Sequence, residues 1–369
     1  VTVAVQVQPG TAFDPDINAG SFWALHADPP DAFRQEIIFK GLSAAHGRRT
    51  IRGGFMANDQ SAAEEPFVFP GHDGGPFVPV PTRTVASWPV GAFAENLAID
   101  AEGVVFVSLH SHNRIDRYDP ATGRAKTFAT LPAPVAGLAF DESGTLWATG
   151  GVLGAAPGLV WRVERGGEVH QWLAIPDAVF LNGATPHPDG RRLLIAESIT
   201  GRVLAVDLTT PGCATWLASD LLKPVNSGIP GANGVKIMAG FAHVSVTDRN
   251  ILIRAALADN GEAGSLEPWL EKLRADDFAF DAEGAVYIAT HPANTVIRVG
   301  ADGARSTLAG PVEGAVGATA VAFGRAPGDE HALYVTTNGG LWSPYQGAAQ
   351  PAKLLRLEVD VAGHPLAPP

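Results

Sequence analysis

Residues 95–109 read ENLAIDAEGVVFVSL, and the same grammar returns at 276–290 as DDFAFDAEGAVYIAT. A short apolar strand runs into an Asp-x-x-Gly turn. A second strand of β-branched and aromatic residues leaves it. Four further segments repeat the pattern: AGLAFDESGTLWATG from Ala136, NGATPHPDGRRLLIAES from Asn182, NGVKIMAGFAHVSVT from Asn233 and TAVAFGRAPGDEHALYVTT from Thr319. Successive starts lie 41, 46, 51, 43 and 43 residues apart. Third strands follow, as in RIDRYD (114–119), LVWRVE (159–164), RVLAVD (202–207) and VIRVGA (296–301). Fourth strands close the units, as in AKTFATL (125–131), EVHQWLA (168–174), CATWLAS (213–219), LEPWLEK (266–272) and RSTLAG (305–310). Four strands per ~40–50-residue repeat is the signature of a propeller blade.

The sixth unit holds three strands before the chain nearly ends. RTVASWPV (83–90), ahead of the first unit, resembles the other fourth strands. The reading is an all-β, six-bladed β-propeller over residues 83–360, with four-stranded blades. The N-terminal strand pairs with the last blade to close the ring and remove an open edge. Residues 361–369 form a short tail. Residues 1–82, with PFVFPGHDGGPFVPVP at 66–81, do not fit the repeat and are expected to form an extended arm or a lid.

Composition agrees and excludes. The 369 residues carry 42 Gly and 29 Pro, which disfavours a helix bundle. Lys and Arg total 26 against 38 Asp and Glu, a formal charge of −12 that argues against a nucleic-acid partner. No uninterrupted apolar run approaches the ~18 residues a membrane helix needs. Cys213 is the single cysteine, so neither an internal disulfide nor a thiolate-rich metal site is open to the chain. No basic segment followed by an apolar run marks a leader. The expectation is a soluble protein, cytoplasmic or secreted after signal removal, with a small-molecule partner. The oligomeric state stays open.

The innermost strand of each propeller blade lines the central channel, and its first residue lies at one mouth. Aligning the repeats makes that ring Glu95, Ala136, Asn182, Asn233, Asp276 and Thr319. Four of the six carry oxygen ligands. Buried polar groups need partners. A hard divalent cation would satisfy carboxylates and amide carbonyls together, and a water-filled polar channel would also serve. Zinc prefers His or Cys.

With these residues the chain resembles the regucalcin/gluconolactonase (senescence-marker-protein-like) family of six-bladed calcium propellers. That family holds a divalent metal with Glu from the first blade, Asn from the third and fourth, and Asp from the fifth. Glu95, Asn182, Asn233 and Asp276 stand in those blades, with the NG steps at 182–183 and 233–234. The resemblance implies one divalent ion, Ca²⁺ first, with Zn²⁺, Mn²⁺ or Fe²⁺ as alternatives. It also implies lactone hydrolysis, with Asp276 as ligand and as general base or nucleophile. Sugar-lactone members carry Arg two residues before the third-blade Asn and Asp immediately after it. Here those positions are Phe180 and Gly183, so the expected substrate is a relatively apolar lactone or ester.

The loops at this mouth add His291 and His110 as proton-transfer candidates, because imidazole titrates near neutrality. Phe180, Glu197, Trp342 and Tyr345 are candidates for substrate contact. Two other readings stand beside the hydrolase. One is a metal-dependent lyase, isomerase or cyclase of secondary metabolism on the same site. The other is a non-catalytic, calcium-stabilised binding scaffold.

Overall fold

The computed structural model describes residues 72–226 and 228–364. The expected arm or lid lies outside the described residues up to residue 71, as does the tail from residue 365. Six four-stranded antiparallel sheets make the ring. From channel to rim, blade 1 runs Ala94–Ile99, Val105–Leu109, Arg114–Asp119, Arg124–Thr130. Blade 2 runs Val135–Phe140, Leu146–Gly150, Gly158–Val163, Val169–Ile175. Blade 3 runs Leu181–Pro186, Arg192–Glu197, Arg202–Asp207, Cys213–Ala218. Blade 4 runs Ala232–Met238, Phe241–Val246, Ile251–Leu257, Ala263–Glu271. Blade 5 runs Phe278–Phe280, Val286–Ala289, Val296–Val299, Arg305–Ala309. Blade 6 takes Ala318–Phe323, Ala332–Thr337 and Pro351–Glu358 from the end of the chain, and Thr82–Val90 from its start. The closing pair runs antiparallel from Thr82 opposite Leu357 to Val90 opposite Pro351. Before it, residues 76–80 follow the outer strand of blade 5, with Val78 N–H on Thr307 O at 2.8 Å and Val80 N–H on Leu308 O at 3.0 Å. No helix among the described residues is long and apolar enough to cross a membrane.

The Asp-x-x-Gly turns explain where the first strands stop. Asp100 Oδ1 accepts the Val104 N–H at 2.8 Å, and Asp281 Oδ1 accepts those of Glu283 at 3.0 Å and Ala285 at 2.8 Å. Gly103 and Gly284 both sit at φ +84°, where a Cβ costs about 1–2 kcal/mol. The apolar core lies between the blades, with one cluster at each interface around the ring. Trp161 fills the interface of blades 1 and 2, Trp147 that of 2 and 3, and Trp216 that of 3 and 4. Each such fully buried large side chain contributes about 1.5–3 kcal/mol.

Two features aim residues at the mouth. First, the pairing of the innermost strand skips at the mouth residue: between Ala94 and Leu97, Val135 and Leu138, Leu181 and Ala184, Ala232 and Val235, and Ala318 and Ala320. Such bulges re-aim a side chain out of the ladder. Second, hydroxyls tie neighbouring blades together. Ser108 Oγ donates to Ala136 O at 2.6 Å, Thr149 Oγ1 to Asn182 O at 2.6 Å and Ser245 Oγ to Asp276 O at 2.5 Å. Each also accepts the N–H of the residue after its own blade's mouth residue: Asn96, Gly137 and Gly234.

Candidate metal centre

The four expected ligands are all buried: Glu95 at 6%, Asn182 at 1%, Asn233 at 3% and Asp276 at 3% exposure. Asn233 Nδ2 donates to Thr247 Oγ1 at 3.0 Å and to Asp276 Oδ1, which ties two of the four together. Asn182 Nδ2 donates to Ser198 Oγ at 3.4 Å. Both amides thus use their N–H groups on the protein, and their oxygens are the atoms suited to a cation. Glu95 Oε2 is buried with no hydrogen-bond partner. An orphaned carboxylate oxygen costs several kcal/mol unless a proton or a cation meets it.

The electrostatics say the same. Burial pushes the Glu95 carboxyl up to about 8, and the Asp277 charge adds to the rise. Burial also holds Asp276 well above the usual carboxylate range, with the charges of Glu95 and Asp277 adding. Three carboxyl groups thus converge on one place, and no salt bridge to Lys or Arg is recorded for Glu95 or Asp276 among the described residues. Two carboxylates and two amide oxygens are hard donors and fit Ca²⁺. No group of three or more His, Cys, Asp or Glu that could hold a metal occurs among the described residues. A site here therefore draws on the asparagines.

His291 stands against Asp276, with Nδ1 at 3.5 Å from Oδ2. Its Nε2 meets Asn338 Nδ2 at 2.8 Å. The Asn338 orientation is fixed, because its Oδ1 accepts the N–H groups of Gly340 at 2.9 Å and Leu341 at 3.3 Å. Nε2 is therefore the acceptor, and the ring proton sits on Nδ1, facing Asp276. Burial, with Arg274 adding, lowers the His291 pKa to about 3. His291, a proton-transfer candidate from sequence, is a neutral donor here whose two nitrogens are both engaged. His110 is also neutral, lowered to about 4 by burial, and its Nδ1 lies 3.3 Å from Val135 O.

The remaining candidates separate. Phe180 is buried, and its ring lies 6.4 Å from His110. Trp342 packs edge-on to Phe93 at 4.8 Å and to His291 at 5.1 Å, with its indole N–H buried and unpartnered. Glu197 is buried, and both of its carboxylate oxygens are taken by its own surroundings. Its Oε1 accepts the N–H groups of Val179 and Phe180 at 3.0 Å each, and its Oε2 accepts the Thr200 N–H and hydroxyl. It fixes the loop that carries Phe180. Tyr345 begins the short turn Tyr345–Gly347 and is half-buried, and no ring contact among the described residues joins it to the others.

Sequence reading missed Phe93, whose ring joins His110 at 5.5 Å, His291 at 6.2 Å and Trp342 at 4.8 Å. A signal was present, because Phe93 lies two residues before Glu95, as Phe180 lies two before Asn182. That offset in all six blades gives Phe93, Pro134, Phe180, Gly231, Arg274 and Gly317, a rim with a single charged member. Arg274 itself donates from Nε to Asn250 Oδ1 at 3.1 Å. Asp277 was also missed.

Neither a protein-family model nor a curated protein matches the chain significantly. Solved structures do. The calcium-binding protein regucalcin of Agrobacterium tumefaciens superposes with a TM-score of 0.60 at 17% identity, over 79% of this chain and 97% of that one. A luciferin-regenerating enzyme gives 0.59 at 12%, over 77% and 97%. A gluconolactonase of Xanthomonas campestris gives 0.55 at 14%, over 78% and 99%. The chain therefore has the six-bladed propeller fold that the regucalcin, gluconolactonase and luciferin-regenerating-enzyme structures share.

Proposed function

We propose that the chain is a divalent-metal-dependent hydrolase of the lactonase or esterase type, acting on a relatively apolar lactone or ester at the channel mouth. The observation that carries this reading is the orphaned Glu95 Oε2, buried within range of the Asp276 charge, in a ring position that Asn182 and Asn233 share. Those four side chains would hold one Ca²⁺. When bound, the ion supplies a Lewis acid that polarises the substrate carbonyl and stabilises the oxyanion. Gluconolactonase and regucalcin neighbours support the class.

The chain's own residues supply the rest. Asp276 takes the proton of the attacking water as its oxygen bonds to the carbonyl carbon. The acyl C–O bond breaks, and the leaving oxygen recovers the proton from Asp276. The His291 Nδ1–H steers Asp276, and Asn338 holds His291 in that tautomer. Phe93, Phe180 and Trp342 form the apolar lip. The polyol-binding side chains are missing where Phe180 and Gly183 stand, so an aryl or alkyl lactone suits the lip better than a sugar lactone.

Steady-state hydrolysis of an aryl lactone and of gluconolactone, with Ca²⁺ present, tests this reading. The expected result is turnover of the aryl lactone, abolished in Asp276→Ala, and weak turnover of gluconolactone. Full turnover by Asp276→Ala, or gluconolactone as the better substrate, contradicts it.

A further inference from the structure

Asp277 follows the proposed ligand Asp276 directly and is equally buried, with 4% of its side chain exposed. Yet its surroundings are opposite. Its Oδ1 accepts Lys236 Nζ at 2.6 Å and the Phe278 N–H at 2.8 Å, and its Oδ2 accepts Asn96 Nδ2 at 2.9 Å. Asn96 comes from the innermost strand of blade 1 and Lys236 from that of blade 4, so the network joins three blades. A Cβ on Gly234 would collide with Asp277 Oδ1, so this carboxylate is admitted only because glycine follows Asn233. Lys236 Nζ also lies 5.7 Å from the centre of the Phe278 ring.

Glu95, Asp276 and Asp277 bring three negative charges to the channel when ionised. Lys236 brings one positive charge. The difference, two, is the charge of one divalent cation, and the side chain still wanting a partner is Glu95. We propose that Lys236 is the resident cation of the channel. It neutralises Asp277, leaves Glu95 and Asp276 as the pair that a divalent ion meets, and sets how tightly that ion binds. The inference rests on the metal reading above. Lys236 acts through Asp277 and is a positioning residue.

Calorimetric titration of the chelator-treated full chain with Ca²⁺ at pH 8 tests it, with thermal melts to verify folding. Lys236→Met removes a positive charge near the ion and should tighten binding about tenfold. Asp277→Asn leaves the Lys236 charge uncompensated and should weaken binding about tenfold. Lys236→Arg keeps the charge and should stay within about threefold of wild type. A purely structural plug would weaken binding in both Lys236→Met and Asp277→Asn, and that result overturns the proposal. So does Lys236→Met at wild-type affinity. If Lys236→Met does not fold, wild-type affinity in Asp277→Asn overturns it in the same way. A wild-type protein that binds no Ca²⁺ overturns the metal reading and this inference with it. One bound ion with no opposite shift in the variants overturns the inference alone.

Discussion

Asp276 and Asp277 are neighbours in the chain and differ in almost everything else. Asp276 belongs to the mouth ring, whose carboxylates are raised by burial and by neighbouring carboxylates, Asp277 among them, and where Glu95 Oε2 has no partner. Asp277 belongs to a layer closed by Lys236 and Asn96, where both carboxylate oxygens are satisfied. The same backbone step thus builds one site that asks for a cation and one that already contains its own. The difference lies in which side chain of one blade 4 strand faces each carboxylate: asparagine at 233 for Asp276, lysine at 236 for Asp277.

The largest effect should come from the mouth. Glu95→Gln leaves the shape and removes the orphaned charge, so Ca²⁺ affinity should fall at least about 100-fold and aryl-lactone turnover should disappear. Binding and activity measured on one preparation check this together. Unchanged binding would mean that the mouth layer, like the layer below it, needs no ion.

Next in size is the hydroxyl that couples the layers. Ser245→Ala removes the bond to Asp276 O and the acceptor for Gly234 N–H, and should destabilise by about 1–3 kcal/mol. It should also loosen Ca²⁺ several-fold, because Asp276 loses an anchor. Ser108→Ala removes the equivalent bond to Ala136 O and the acceptor for the Asn96 N–H beside Glu95, and should cost similar stability with a smaller loss of Ca²⁺ affinity, because neither bonded group belongs to a ligand residue. Denaturant melts and titrations on both variants separate the two effects. Equal effects on Ca²⁺ would blur the distinction.

A smaller effect concerns His243, buried between blades 4 and 5 against Trp269 and Phe280 and lowered by burial to about 4. The unfolded chain takes this proton near pH 6.5. The stability from keeping the ring neutral is therefore complete above pH 6.5 and is lost as pH falls toward about 4. His243→Phe should flatten that part of the stability–pH curve without changing the metal affinity. An unchanged slope would show that other groups carry it.

Much of this was legible in the sequence. Strand periodicity and Asp-x-x-Gly turns carry the blade count, and a fourth strand displaced to residues 83–90 carries the closure. The strand pattern is local and repeated six times, so it survives low overall similarity. The ring of mouth residues was legible because each member occupies the same place in its repeat. What stayed hidden depends on facing side chains far apart in the chain. Lys236 and Asp277 are 41 residues apart and Asn338 and His291 are 47. No spacing rule connects either pair. Glu197 shows the opposite error. It looked available on a mouth loop, yet backbone N–H groups at 179, 180 and 200 close around it.

The proposed function stands on Glu95, Asn182, Asn233 and Asp276 holding one divalent cation. Metal analysis of the purified full chain, after equilibration with Ca²⁺ and removal of free ion, decides this. One Ca²⁺ per wild-type chain and none in Glu95→Gln is the expected result. No ion in the wild type, or one in both proteins, would contradict it.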